Sequence, residues 1–105
     1  MKRAAMTAMT VLLLGLSANA QEMQMQNNHP YIGMWMTGDG RIRHELLPNG
    51  RYDEARGNRQ SAYQGRYEVT GSHIEYWDDT GFTADGDFVD NDTLHHGGMV
   101  FYRRK

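Results

Sequence analysis

The amino-acid sequence predicts an all-β fold, an eight-stranded antiparallel up-and-down barrel. Three observations support this prediction. From Tyr31 onward, turn-forming residues recur about every ten positions, which is the spacing typical of an antiparallel β domain. Between the turns, apolar and polar side chains alternate as they do in strands with one buried face. No segment has helical periodicity. Eight short strands bury one apolar face most simply by closing on themselves, which also removes exposed sheet edges.

The chain begins with the pattern of a signal peptide over residues 1–20. Lys2 and Arg3 form a basic head, residues 4–16 are uncharged, and residues 17–20 place small side chains where a signal peptidase cuts. The apolar run is too short to span a membrane, and no cysteine follows it that would carry a lipid anchor. We therefore expect an exported protein, periplasmic or secreted after cleavage following Ala20, with no membrane insertion.

Removing this leader leaves 85 residues (105 minus 20), enough for one domain, and we expect a monomer. The remaining chain has 9 Lys and Arg against 13 Asp and Glu, a formal charge of −4, which gives no reason to expect nucleic-acid binding. The absence of cysteine excludes disulfides, thiol catalysis and thiolate metal sites. Six Tyr, two Trp and three Phe all follow the leader, and these large side chains supply the core that few aliphatic residues provide.

A polar segment at residues 21–28 separates the leader from the domain at residues 29–105. It has no strand or helix periodicity, so we interpret it as a flexible tether. The thioether side chains of Met23 and Met25 are possible ligands for monovalent copper. Two methionines in a flexible tail are the simpler interpretation.

Seven turn signals divide the domain into eight candidate strands. The turns are centred at residues 38–40, 48–50, 57–58, 71–72, 80–81, 90–92 and 97–98. The strands between them are residues 31–37, 41–47, 51–56, 63–70, 73–78, 82–89, 93–96 and 99–103. Asp85 and Gly86 interrupt the sixth strand as a bulge or as an additional turn. We favour the bulge because a turn would leave two strands below the usual length.

Alternation along the strands places several polar side chains on the inner face. They are His44, Tyr52, Glu54, Tyr67, Tyr76 and Asp78. A buried polar group without a hydrogen bond costs about 1–3 kcal/mol, so this cluster needs an explanation. One hypothesis is a pocket with aromatic walls and a few polar groups that orient a ligand. The alternatives are a self-satisfied polar network and a wet barrel mouth.

The sequence offers no pattern for a metal or cofactor site or for catalysis. His95 and His96 are neighbours on one strand and face opposite sides, so they do not converge on one ion. Asp78 and Asp79 alternate in the same way, which disfavours paired-carboxylate chemistry. The two serines that follow the leader lie in expected loops without a nucleophile motif. We expect no bound metal, no cofactor and no enzymatic activity.

Three residues resemble the signature of the superfamily of lipocalins, fatty-acid-binding proteins and avidins. Gly33 and Trp35 lie on the first strand and Arg103 ends the last. The resemblance implies that the Trp closes one end of the barrel and that the Arg stacks across its ring. Such stacking gains cation–π attraction and satisfies nearby carbonyl groups.

Three longer segments, residues 29–35, 47–59 and 78–86, resemble a bacterial family of unestablished function that is named after an Agrobacterium protein. The resemblance covers nearly the whole domain. It implies a streptavidin-like barrel with eight strands and a ligand-binding surface, and it supplies no catalytic motif.

In streptavidin-like barrels, the connection between the third and fourth strands acts as a lid over the ligand. Here residues 56–61 occupy that place, and Arg56 and Arg59 could bind a carboxylate or another anion through paired donors. An exposed basic turn without a partner is the alternative. With this loop, the predicted ligand-binding residues are Tyr52, Glu54, Arg56, Asn58, Arg59, Tyr67, Tyr76, Asp78 and Phe82.

We therefore expect an exported, non-enzymatic barrel that binds a small molecule, polar or anionic, at its open end. The alternative is a periplasmic inhibitor or interaction module that acts on a protein partner such as a lysozyme or a protease. Arg59, Trp77 or the turn at Asp90 would then supply the contact surface.

Overall fold

The computed structural model describes residues 29–105, which form a closed barrel of eight antiparallel strands. Each strand pairs with the next, and the last pairs with the first, which confirms the predicted fold class. The strands are β1 (Gly33–Thr37), β2 (Ile42–Leu46), β3 (Arg51–Arg56), β4 (Arg59–Thr70), β5 (His73–Asp78), β6 (Thr83–Asp90), β7 (Thr93–His96) and β8 (Met99–Arg103). The predicted signal peptide and tether lie outside the described residues.

Within residues 29–105, no helix has the length and apolarity needed to cross a membrane.

The connection between β3 and β4 differs from the expected loop at residues 56–61. Only Gly57 and Asn58 lie between the two strands, because β4 begins at Arg59 rather than at Tyr63. Gly57 has a φ of 54°, which suits a tight turn. The early part of β4 contains a bulge at the level of Ser61, whose φ is 49°. The expectation of an open lid loop is therefore wrong for this chain.

Residues Asp85 and Gly86 form neither a bulge nor a turn. Strand β6 runs through both of them, and its register with β5 is unbroken. A Cβ atom at Gly86 would lie 2.6 Å from the carbonyl oxygen of His95, so glycine permits a close approach between β6 and β7. The register shift in this strand pair lies further along, between Phe88 and Asp90.

One end of the barrel, where β1 begins and β8 ends, is closed by aromatic side chains. Tyr31 stacks on Phe88 with ring centroids 3.6 Å apart. The indole Nε1 of Trp35 donates a hydrogen bond of 2.9 Å to the carbonyl oxygen of Tyr31. The guanidinium of Arg103 lies 4.8 Å from the centroid of the Trp35 ring, and its Nη1 donates to the carbonyl oxygen of Ile32. We call this the closed end.

The opposite end carries the β1–β2, β3–β4, β5–β6 and β7–β8 turns, and we call it the open end. Between the two ends, the core consists of inward side chains from every strand. The fully buried members are Trp35, His44, Leu46, Tyr67, Ile74, Leu94 and Phe101. The inner face is thus apolar toward the closed end and includes a buried imidazole near its middle.

Candidate functional site

A pocket of about 130 Å³ opens at the open end of the barrel. Its lining comes from β3 to β7 and comprises Tyr52, Glu54, Arg56, Tyr63, Tyr76, Asp78, Phe82, Thr83, Ala84 and His96. Six of the nine predicted ligand-binding residues are among these: Tyr52, Glu54, Arg56, Tyr76, Asp78 and Phe82. We take this pocket as the candidate functional site.

Strand alternation explains why these side chains converge. Tyr52 and Glu54 are two positions apart on β3, as are Tyr76 and Asp78 on β5, so each pair faces the barrel interior. Tyr52 and Tyr76 meet edge to face with ring centroids 5.0 Å apart. Phe82 precedes β6 and is 71% exposed, which places an apolar ring at the pocket mouth.

The other three predicted residues lie outside the pocket. Tyr67 belongs to the closed end, where its hydroxyl donates a hydrogen bond of 2.8 Å to the carbonyl oxygen of Leu47. The same hydroxyl lies 2.8 Å from Nε2 of His29. Asn58 and Arg59 are exposed in the short β3–β4 hairpin. The expectation that Tyr67 lines the pocket is corrected, and no lid brings Asn58 or Arg59 over it.

Glu54 is the buried charge of the pocket. Its Oε2 accepts a hydrogen bond of 2.7 Å from Nε of Arg56, and its Oε1 lies 3.4 Å from Nδ1 of His44. Burial alone would raise the pKa of Glu54, but the neighbouring His44 and Arg56 outweigh it and lower the pKa overall. The pocket therefore contains an ionised carboxylate at neutral pH.

The two buried tyrosines that line the pocket, Tyr52 and Tyr76, keep their protons at neutral pH. Burial, followed by the charge of Asp78, raises the pKa of Tyr52 to about 12. Burial, with a smaller effect of Glu54, also raises the pKa of Tyr76 well above its ordinary value. The hydroxyl of Tyr76 lies 3.3 Å from Nε2 of His44. Because both phenols remain protonated, they can donate and accept hydrogen bonds but are poor nucleophiles.

Asp78 and Arg56 each already interact with neighbouring groups of the protein. Asp78 Oδ1 accepts a hydrogen bond of 2.7 Å from the backbone N–H of Thr80 and another from its hydroxyl, which fixes the β5–β6 turn. The guanidinium of Arg56 binds Glu54 and lies 4.9 Å from the centroid of the Tyr63 ring. With two carboxylates and one guanidinium, the pocket has a formal charge of −1 when His96 is neutral.

The structure also groups three side chains that no sequence pattern connects. One candidate ligand atom from each of His44, Glu54 and His96 lies within 4.8 Å of those of the other two. Burial is the main cause that lowers the pKa of His44, so its imidazole is neutral at pH 7. His44 and Glu54 are direct cross-strand partners, and barrel closure adds His96 from β7. The sequence does contain one indication of this group, because alternation along the strands places both His44 and Glu54 on the inner face. The opposite facing of the adjacent residues His95 and His96 disfavours only a metal site that contains both of them.

A larger groove of about 580 Å³ lies at the same end of the barrel. It is lined by Thr37, Gly38, Asp39, Arg41, Ile42, Arg56, Gly57, Met99 and Val100. Its acidic group is engaged locally, since Asp39 Oδ1 accepts hydrogen bonds from the hydroxyl of Thr37 and the N–H of Arg41. None of the residues that line this groove is buried, whereas Tyr52, Glu54 and Tyr76 in the smaller pocket are buried. The smaller pocket is therefore the better candidate site.

Comparison with known proteins identifies the family. The sequence model of a family described as Agrobacterium tumefaciens protein Atu4866 matches residues 28–103. The solution structure of the protein Atu4866 from Agrobacterium tumefaciens is similar to this chain, with 80% sequence identity and a TM-score of 0.67. That match covers 73% of this chain and 98% of the other. No significant match is found among curated proteins. Because the family model spans most of the sequence, the chain belongs to the Atu4866 family.

Proposed function

We propose that this protein is a non-enzymatic barrel that binds a small polar molecule in the pocket at its open end. The observation that carries the proposal is the convergence of an ionised carboxylate and two protonated phenols on one concave surface. Aromatic walls with a few directed polar groups are typical of small-molecule sites. The rings of Tyr52 and Tyr76 would enclose the molecule, and Glu54 with the two hydroxyls would orient it.

The size of the pocket limits the ligand. A volume of about 130 Å³ is below the 300–1,000 Å³ of drug-sized pockets. It holds roughly four water molecules at ~30 Å³ each. The buried part of the ligand is therefore a small group, and any larger part would extend past Phe82 into solvent.

The charge of the pocket limits the ligand class further. Glu54 and Asp78 outnumber Arg56, so the protein's own charges favour a neutral or cationic polar group. An anionic ligand, with which the sequence is also compatible, would require a bound cation to reverse this charge.

Thermal denaturation with libraries of small polar compounds, in the presence of EDTA, tests the proposed function. A compound present at a hundred times its dissociation constant should stabilise the protein by about 2.7 kcal/mol. Tyr52→Phe removes only the pocket hydroxyl and should weaken that stabilisation. Tyr102→Phe is the matched control, since Tyr102 lies on the outer face of β8 and is 52% exposed. Equal stabilisation of both variants would contradict binding in this pocket.

We propose that the protein works outside the cytoplasm, as a periplasmic or secreted protein. The basic, apolar and small-residue pattern of residues 1–20 supports this proposal. Expression of the full chain in a Gram-negative host, followed by mass determination, tests it. A periplasmic product that begins at Gln21 is expected, and an uncleaved cytoplasmic product would contradict the proposal.

The alternative function, as an inhibitor or interaction module, receives less support from the geometry. The ring of Trp77 is covered by Arg66, whose guanidinium lies 4.0 Å from the ring centroid. The carboxylate of Asp90 accepts a hydrogen bond from the N–H of Asp92 within its own turn. Both of these proposed contact groups therefore already interact with neighbouring residues of this chain. Co-purification with a lysozyme or a protease would favour the alternative.

A further inference from the structure

We propose that His44, Glu54 and His96 bind a divalent transition-metal ion, of which Zn²⁺ is the leading candidate, beside the pocket at the open end. Glu54 and His96 line the pocket, and His44 is buried next to Glu54. Three protein ligands would leave one coordination position directed at the pocket.

The first observation is a buried ring nitrogen without a partner. His44 is fully buried, and its Nδ1 atom makes no hydrogen bond. That atom faces Oε1 of Glu54 at 3.4 Å. In a tetrahedral zinc site with bonds of about 2.0–2.1 Å, neighbouring ligand atoms are separated by about 3.3 Å. The two atoms are therefore spaced as two ligands of one ion would be.

The second observation is a hydrogen bond that fixes the tautomer of the His96 ring. Its Nδ1 lies 3.0 Å from the carbonyl oxygen of Asp85. A carbonyl oxygen only accepts hydrogen bonds, so Nδ1 carries the proton and Nε2 retains its lone pair. Metal-binding histidines commonly donate their second ring N–H to a backbone carbonyl in this way.

The other two residues also have supporting contacts behind them. Nε2 of His44 lies 3.3 Å from the hydroxyl of Tyr76, whose oxygen can accept a hydrogen bond from the Nε2–H group when Nδ1 binds the ion. The Oε2 atom of Glu54 is held by Arg56 at 2.7 Å, so Oε1 is left for the metal. All three ligands are thus oriented by groups outside the site, as in established metal centres.

Little movement is needed to form the site. The three ligand atoms all lie within 4.8 Å of one another, so the longest separation exceeds the ~3.3 Å edge of a zinc tetrahedron by at most about 1.5 Å. His96 is only half-buried and ends β7 just before the glycine turn at residues 97–98. We expect this side chain to close the remaining distance.

The donor set selects the class of ion. Two imidazoles and one carboxylate suit zinc, and the same set binds ferrous iron, whereas magnesium and calcium prefer oxygen ligands alone. A divalent ion would change the formal charge of the pocket from −1 to +1, and the open position would then accept an anion such as a carboxylate. This last consequence rests on the proposed function, but metal binding does not, because its ligands are the protein's own side chains.

Titration calorimetry of EDTA-treated, dialysed protein with Zn²⁺ tests the site without any organic ligand. We expect one ion per chain. His96→Gln and Glu54→Gln should each weaken binding by at least about tenfold, the lower limit for loss of even a supporting contact. Circular dichroism of each variant checks that the barrel is retained. His96→Gln is preferred to a His44 variant because His44 is fully buried in the core and His96 is not.

Two other histidines serve as matched controls. His95 is exposed next to His96, and His73 is surrounded on the outer face by Asp87, Asp85 and Glu75. His95→Gln and His73→Gln should bind Zn²⁺ as the unaltered protein does. Co²⁺ should give the intense visible absorption of a four-coordinate site, and His96→Gln should lose it.

Three results would overturn the inference. They are failure of the folded protein to bind Zn²⁺, binding that His96→Gln and Glu54→Gln leave unchanged, and binding that His73→Gln removes. If Zn²⁺ binds as expected but no small polar compound stabilises the protein with or without the ion, the metal site stands and the proposed function fails. If a small polar compound stabilises the protein in EDTA but Zn²⁺ does not bind, the proposed function stands and the metal site fails.

Discussion

Replacing Arg103 with lysine tests how the closed end is held together. The guanidinium of Arg103 donates to the carbonyl oxygen of Ile32 at 3.0 Å and to that of Asn91 at 2.9 Å, and it also contacts the carbonyl of Pro30. Its side chain is only 16% exposed. Lysine keeps the charge but cannot reach all of these carbonyls from one ammonium group. Loss of about two such bonds, at about 1–1.5 kcal/mol each, should reduce the free energy of unfolding by about 2–3 kcal/mol.

Arg66 provides a matched control for the aromatic contact. Its guanidinium lies 4.0 Å from the Trp77 ring, closer than Arg103 lies to Trp35. However, Arg66 is exposed, and its ion pair with Glu68 is 3.9 Å long. Arg66→Lys should therefore change stability by less than about 1 kcal/mol. Urea denaturation followed by tryptophan fluorescence measures both variants. Equal losses would show that the cation–π contact, not the set of carbonyl bonds, stabilises the closed end.

Three further predictions concern side chains at the closed end and in the core. Burial is the main cause that lowers the pKa of His29, so the His29 imidazole takes up a proton more readily in the unfolded chain than in the folded one. The free energy of unfolding should therefore fall as the pH drops below about 6.5. Urea titrations at several pH values measure how the free energy of unfolding depends on pH. His29→Gln should reduce this pH dependence without abolishing it, because burial also lowers the pKa of His44. An unchanged pH dependence would contradict the assignment to His29. Tyr67→Phe removes a buried hydroxyl that donates to a backbone carbonyl and should cost about 1–3 kcal/mol without changing ligand affinity, whereas Tyr102→Phe should be neutral. Phe101→Ala should cost about 3–5 kcal/mol in the same assay because the ring is fully buried, and a loss below about 1 kcal/mol would show that this part of the core is loosely packed.

The strands were predictable where alternation is strong, and the errors occur where it is weak. In β5, Ile74 and Tyr76 are buried as their alternation predicts. The start of β4 was missed because Arg59, Gln60 and Ser61 are all exposed, so no buried face marks them as a strand. Propensity and turn residues alone then favour a loop.

The sequence predicts which side chains of the candidate site point inward, but it does not predict their position along the barrel axis. Alternation tells whether a side chain points inward, and it does so for both Tyr67 and Tyr76. These two residues are direct partners on antiparallel strands. Because side chains lean along their own strand, partners on antiparallel strands lean toward opposite ends. Tyr67 therefore contacts Leu47 at the closed end, while Tyr76 contacts Tyr52 in the pocket.

The proposed metal ligands His44, Glu54 and His96 cannot be grouped from strand alternation alone, because their convergence depends on barrel closure. His44 and Glu54 lie on neighbouring strands, and their pairing follows from the β2–β3 register. His96 comes from β7, which is not adjacent to either strand in the barrel order. Only the closed cylinder brings its ring to 5.7 Å from that of His44. Sequence motifs for metal ligands are defined by short spacings along the chain. Residues that meet across the barrel lumen have no such fixed spacing.

The two ends of the barrel differ in how completely their buried polar groups are satisfied. At the closed end, the indole N–H of Trp35 and the hydroxyl of Tyr67 both donate to backbone carbonyls. Toward the open end, Nδ1 of His44 is buried without a hydrogen bond beside a carboxylate that already binds Arg56. An unsatisfied buried group costs about 1–3 kcal/mol, which an apolar side chain at this position would avoid. Within residues 29–105, the unsatisfied buried side-chain atom lies next to the pocket and not at the closed end, which is the pattern expected of a binding site rather than of a structural core.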